Sequence, residues 1–147
     1  MSLIRLTGIW MIVVLALGCD SNRLDELTEA AVIRACGPAD GPAVTIFLAS
    51  SPVEFSDPPP PYVRIYIAEQ LETLAGKSWT VGGSGAEAGA WYHRTATDQE
   101  LAVAGQVTVV AVGTDNSIEG SVDITFSNGR IQDAFQARFV ATTQLCP

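Results

Sequence analysis

A single imidazole, His93, limits the catalytic chemistry open to this chain. A Ser–His–acid relay would have to run through it. Its neighbours Trp91, Tyr92 and Arg94 form no Gly-x-Ser-x-Gly elbow that could present a nucleophile, and an outward-facing strand residue accounts for it better. The run Gly82-Gly83-Ser84-Gly85 lacks the Gly-Lys-Ser/Thr ending of a phosphate loop, and nothing places it at a helix N-terminus. Glycoside hydrolysis needs paired carboxylates, but a chain with 16 Asp and Glu holds close pairs on any surface. Asp115, Asn116 and Glu119 suggest calcium ligands, yet the glycine and distal glutamate of an EF-hand loop are missing, and a solvated turn explains them. These residues supply no catalytic set, no metal site and no cofactor. An enzyme is not the expected function.

Binding residues are better represented. Tyr62, Tyr66, Trp79, Trp91 and Tyr92 form an aromatic group. Where several share an outward face, they make a patch of the kind that recognises protein or sugar, the alternative being core and edge packing. Asp133 falls in phase with an apolar strand face, opposite Ile124. A bare buried carboxylate costs several kcal/mol, roughly, so the residue is expected at a rim, at a bulge or bonded to backbone, with ligand contact as the other reading.

The elements that must position these residues read as strands. Ile118, Gly120, Val122, Ile124 and Phe126 alternate with polar residues, the period-two signature of a half-buried strand. Asn128-Gly129 favours a φ > 0 two-residue turn, predicting a hairpin over 118–139 in which Phe126 faces Ile131 and Val122 faces Phe135. Upstream, Val44–Leu48 reads as a strand buried on both sides. In Tyr62–Glu69, Val63, Ile65 and Ile67 face inward while Tyr62, Arg64 and Tyr66 face outward. Lys77–Val81, Ala90–Arg94 and Gly105–Gly113 complete about seven strands, with Asp98–Glu100 as a surface turn. Ser50–Pro61, with four consecutive prolines, reads as a stiff extended connector. The expected fold is all-β, an antiparallel β-sandwich or flattened barrel.

The N-terminus suggests a compartment. Arg5 precedes an apolar run from Gly8 to Gly18, shorter than the roughly 20 residues that cross a bilayer and matching the core of a secretion signal. Leu15-Ala16-Leu17-Gly18-Cys19 resembles the lipobox of bacterial lipoproteins, in which a small residue precedes a cysteine that is diacylated and becomes the new N-terminus. The Gly-Cys pair fits fully, whereas the leucine commonly found three residues before the cysteine is Ala16 here. Asp20 occupies the position that, in enteric lipoproteins, marks inner-membrane retention, a rule that varies between bacterial groups. The resemblance implies a membrane anchor through a lipid on Cys19 and a location in the bacterial cell envelope, facing periplasm or exterior.

With Cys19 acylated, Cys36 and Cys146 remain as an even pair in an oxidising space. No Cys-x-x-Cys or Cys–His spacing favours a metal, and a disulfide between them would staple the domain's two ends. The stretch Gly120–Gly129, of the form Gly-x-x-Asp-x-Thr-Phe-x-x-Gly, with Cys146 near the end, resembles the C-terminal part of small bacterial lipoproteins. That resemblance implies a β-sandwich with terminal stapling and carries no activity.

The expected organisation is a signal peptide over 1–18, a lipidated tether over 19–35 with a short helix as one reading of it, and a β-sandwich domain over 36–147. Removing the signal leaves 7 basic against 16 acidic residues, a net charge of −9, which argues against nucleic acid. The expected function is binding or structural support in the envelope with a possible protein partner. The alternative is inhibition of an envelope lysozyme or protease through a rigid exposed loop at Ser50–Pro61 or Gly82–Gly89.

Overall fold

The computed structural model describes residues 23–142 apart from 55–56. They form nine strands: β1 Glu29–Cys36, β2 Pro42–Ala49, β3 Tyr62–Ile67, β4 Lys77–Thr80, β5 Ala88–His93, β6 Gln99–Leu101, β7 Ala104–Val112, β8 Ile118–Phe126 and β9 Gly129–Phe139. Short 3₁₀ turns lie at Arg23–Glu26, Pro38–Asp40 and Leu71–Thr73, and the described residues contain no α-helix. The chain is all-β, as the alternating patterns predict.

The strands make one sheet in the order β4-β7-β8-β9-β1-β2-β3-β5-β6, curled into a half-barrel. The sequence predicts an antiparallel sandwich or flattened barrel of about seven strands; the sheet is instead mixed, with nine strands curled into a half-barrel. Every pairing is antiparallel except β1 with β9, where Ala31 meets Arg138 and Val32 meets Phe139 in parallel. That short joint merges two meanders into one mixed sheet, and the curl buries a continuous core. Val44, Ile46 and Leu48 of β2, Val63, Ile65 and Ile67 of β3, and Val122, Ile124 and Phe126 of β8 share it.

Two strands escaped the sequence reading. Residues 29–35, expected in the tether with its possible helix, form β1 together with Cys36, between β2 and β9. Ala31 and Val32 are both buried, one on each face, which erases the alternation of a half-exposed strand. The folded region therefore begins upstream of position 36, with Leu24 already in the core. The supposed turn at Asp98–Glu100 contributes to β6, a three-residue edge strand against β5.

The β8–β9 hairpin exists, with a corrected register. Phe126 pairs with Gly129, Ile124 with Ile131, Val122 with Asp133 and Gly120 with Phe135. The turn is Ser127-Asn128, and neither residue has positive φ. A carboxylate from β6 explains this geometry, as described below.

The curled sheet touches itself at one corner. Val81, after β4, bridges Ala88 of β5, while Ala102 N–H donates to Ala90 at 2.9 Å and Val103 N–H to Thr125 at 2.9 Å. The segment between β2 and β3 folds back over the sheet's outer face. Ser50 N–H bonds Pro61 O at 3.3 Å, the Pro60–Pro61 bond is cis, and Val53 and Pro58 are buried. Val53 joins Phe47, Ala49, Tyr62, Ala31 and Val140 in a second apolar cluster, and Arg138 donates to Val53 O. The proline segment is thus a cover for one end of the sheet as well as a connector.

Candidate functional site

Strand alternation sorts the aromatic residues. In β3, Val63, Ile65 and Ile67 enter the core, so Tyr62, Arg64 and Tyr66 project from the outer face. In β5, Ala88, Ala90 and Tyr92 enter the core, so Gly89, Trp91 and His93 project outward. Antiparallel pairing brings these into three rungs: Tyr62 with His93, Arg64 with Trp91, and Tyr66 with Gly89.

The five predicted aromatics therefore divide. Tyr66 and Trp91 are partly open on the outer face, Tyr62 on the same face is buried in the second apolar cluster, and Trp79 and Tyr92 are residues of the main core. The Trp79 indole N–H donates to Glu69 Oε1 at 2.9 Å, fastening edge strand β4 to the segment before it. The Tyr92 ring lies 5.7 Å from Phe126, and the Arg94 guanidinium stands 5.6 Å from its centroid. Asp133 is exposed, opposite Val122, and accepts the backbone N–H of Ala134 at 2.8 Å. The expected position opposite Ile124 is corrected by the hairpin register, in which Ile124 pairs with Ile131. Asp133 lines a groove of about 500 Å³ at the mouth of the half-barrel with Leu27, Leu48, Ile131 and Phe135.

On the outer face, Arg64, Tyr66, Trp91, His93 and Gln99 line an open cleft of about 330 Å³. At one end the Tyr62 and His93 rings stack with centroids 4.4 Å apart and planes inclined by 11°. Burial pushes the Tyr62 phenol up from its ordinary value, and the charge and hydrogen bond of Asp57 reinforce this against an opposing effect of Arg64. Burial pushes His93 down, the Arg64 charge adding to this while Asp57 opposes it, so the imidazole is neutral near pH 7.

In the middle rung, Arg64 Nε is buried and has no hydrogen-bond partner among the described residues. Next to it, Trp91 leans its six-membered ring over Gly89. A Cβ at Gly89 would lie 2.3 Å from Trp91 Cη2, so the missing side chain is what gives the indole its bed. Trp91 and Tyr66 are only partly buried.

The sequence places Arg64 and His93 on the outward face, weighs His93 only for a catalytic relay and not for binding, and puts Gln99 in a turn. Their phase was readable from β3 and β5. Their proximity depends on which strands pair, a non-local property with no signature inside either strand.

The remaining candidates have structural roles. Asp115 Oδ1 accepts Ser117 N–H at 3.1 Å and Ser117 Oγ at 2.6 Å, which organises the turn before β8 and holds the carboxyl below its ordinary range. Among the described residues no group of three or more His, Cys, Asp or Glu could hold a metal. Cys36 ends β1, while Cys19, the signal over 1–18 and Cys146 lie outside the described residues. No protein-family model matches the chain, and neither a curated protein nor a solved structure matches it.

Proposed function

We propose that this chain is a lipid-anchored protein of the bacterial envelope whose β domain works by binding, through the outer face of β3 and β5. One observation carries the reading. Arg64, Tyr66, Trp91 and His93 come from two strands, yet they meet around one open cleft. A purely structural face would pair its guanidinium, but Arg64 Nε lacks a partner among the described residues.

The anchor rests on the lipobox-like ending at Cys19 and the signal before it. A Cys36–Cys146 disulfide is supported by the chain path. Val140 N–H bonds Val32 O at 2.9 Å, and Thr142 Oγ1 bonds Arg34 O at 3.4 Å, so β9 runs out beside the end of β1. Cys146 lies four positions past Thr142, a reach of up to roughly 14 Å, ample for Cys36 two positions past Arg34.

Inhibition of a lysozyme or protease has less support. The segment at Ser50–Pro61 anchors itself on the sheet through Val53 and Pro58 instead of standing free. The binding reading is tested by photocrosslinking in intact envelopes. A benzophenone side chain at Tyr66 should capture a ligand, while one at Gln132, on the polar outer face of β9, should not. Equal labelling at both positions, or none at Tyr66, overturns the reading.

A further inference from the structure

Resting on that binding reading, we infer that the cleft takes a carboxylated saccharide. In it, Trp91 supplies the stacking surface for a pyranose ring and Arg64 the partner for the carboxylate.

The two halves of this recognition are adjacent because Arg64 and Trp91 are direct cross-strand partners. The indole occupies the space over Gly89, spread along the sheet beside Tyr66. Such a platform suits the C–H face of a sugar ring, and the flanking Tyr66, neutral His93 and Gln99 can donate to and accept from hydroxyls.

The charge on the ligand follows from Arg64. Arg34, Arg94 and Arg130 each donate to a carboxylate, and Arg138 donates to a carbonyl. Arg64 has a desolvated Nε with no acceptor among the described residues. A guanidinium fork matches a planar carboxylate in two parallel bonds. The cleft holds one such cation and no lysine, a thin donor set for a phosphate dianion.

Two further features narrow the class. The mature chain carries a net charge of −9, so it repels long polyanions at a distance and favours a short acidic saccharide. The backbone groups of β3 are used in ladders to β2 and β5, so the face offers no strand-addition edge to a peptide.

The carboxylate could belong to a uronic acid of an envelope polysaccharide or to a muramic acid of the cell wall. Calorimetric titration of the full mature chain in detergent would use trigalacturonic acid, its methyl ester, and a GlcNAc–MurNAc disaccharide. At least one of the two acids should bind, and which one identifies the source. The ester should bind at least about tenfold more weakly than the trigalacturonate if that is the ligand, and Arg64→Gln should weaken the acid by a similar factor. Trp91→Ala should abolish binding, with melting curves confirming that each variant is folded.

Equal affinity for acid and ester, or no effect of Arg64→Gln, overturns the charge assignment. Failure of both acids to bind overturns the inference. A Tyr66-specific crosslink would then leave the binding face standing with another ligand, and its absence would remove both.

Discussion

Glu100 and Asn128 stand 28 residues apart and meet where the curled sheet closes on itself. Glu100 Oε1 accepts the backbone N–H groups of Ser127 and Asn128, the latter at 3.3 Å, and the Ser127 hydroxyl. Its Oε2 accepts Asn128 Nδ2 at 3.3 Å and Arg94 Nη2 at 2.9 Å. A carboxylate on edge strand β6 thus caps the tip of the β8–β9 hairpin. Glu100→Gln should lower stability by about 1.5–3 kcal/mol, because it replaces charge-assisted bonds at a site only 15% exposed. Urea unfolding checks this.

The same contact sets a pH dependence. Burial pushes the Glu100 carboxyl up, but the Ser127 and Asn128 donors outweigh it and hold the group below its ordinary value. Its stabilisation is therefore complete above the unfolded carboxyl value and disappears as pH falls through the lower folded value. The stability gap between wild type and Glu100→Gln should be wide at neutral pH and should shrink steadily as pH falls below the ordinary carboxylate range. A gap that widens with acid would contradict the capping role.

Gly89 tests the bed of Trp91. Gly89→Ala places a methyl group in the space of the indole ring, whose far edge can swing away. Stability should change by less than about 1 kcal/mol, while the Trp91 emission shifts and ligand binding weakens by at least about tenfold. Differential scanning fluorimetry and emission spectra separate the two effects.

Non-reducing mass analysis should find Cys36 linked to Cys146. Losing that bond should cost about 4–5 kcal/mol in the chain-entropy account, for a closed loop of over a hundred residues. Two alkylatable thiols in the oxidised protein would refute the link.

Cys19→Ser should move the protein from the membrane fraction to the soluble fraction. Unchanged fractionation would remove lipidation as the anchor.

The legible parts of the fold were those with local patterns. The alternation of Tyr62–Ile67 gave the correct face for Arg64 and Tyr66, and that of Ile118–Phe126 gave β8. The hairpin register slipped because Asn128-Gly129 was read as a φ > 0 turn. Glu100 caps a turn at Ser127-Asn128 instead, and a contact from a distant strand leaves no trace near the turn. β1 was hidden because its central position buries both Ala31 and Val32, and the parallel joint of Val32 with Phe139 has no local signal at all. The aromatic group was found but not its division, since strands as short as β4 do not reveal which face Trp79 takes.

The most direct test of the binding face is hydroxyl-radical footprinting of Trp91 and Tyr66, comparing the purified chain with the chain in intact envelopes. Both side chains are partly open in the isolated protein and should react there. The account predicts strong protection of both in the envelope, with the exposed Val110 of β7, on another part of the sheet, unchanged. Equal oxidation of Trp91 and Tyr66 in the two settings would contradict it.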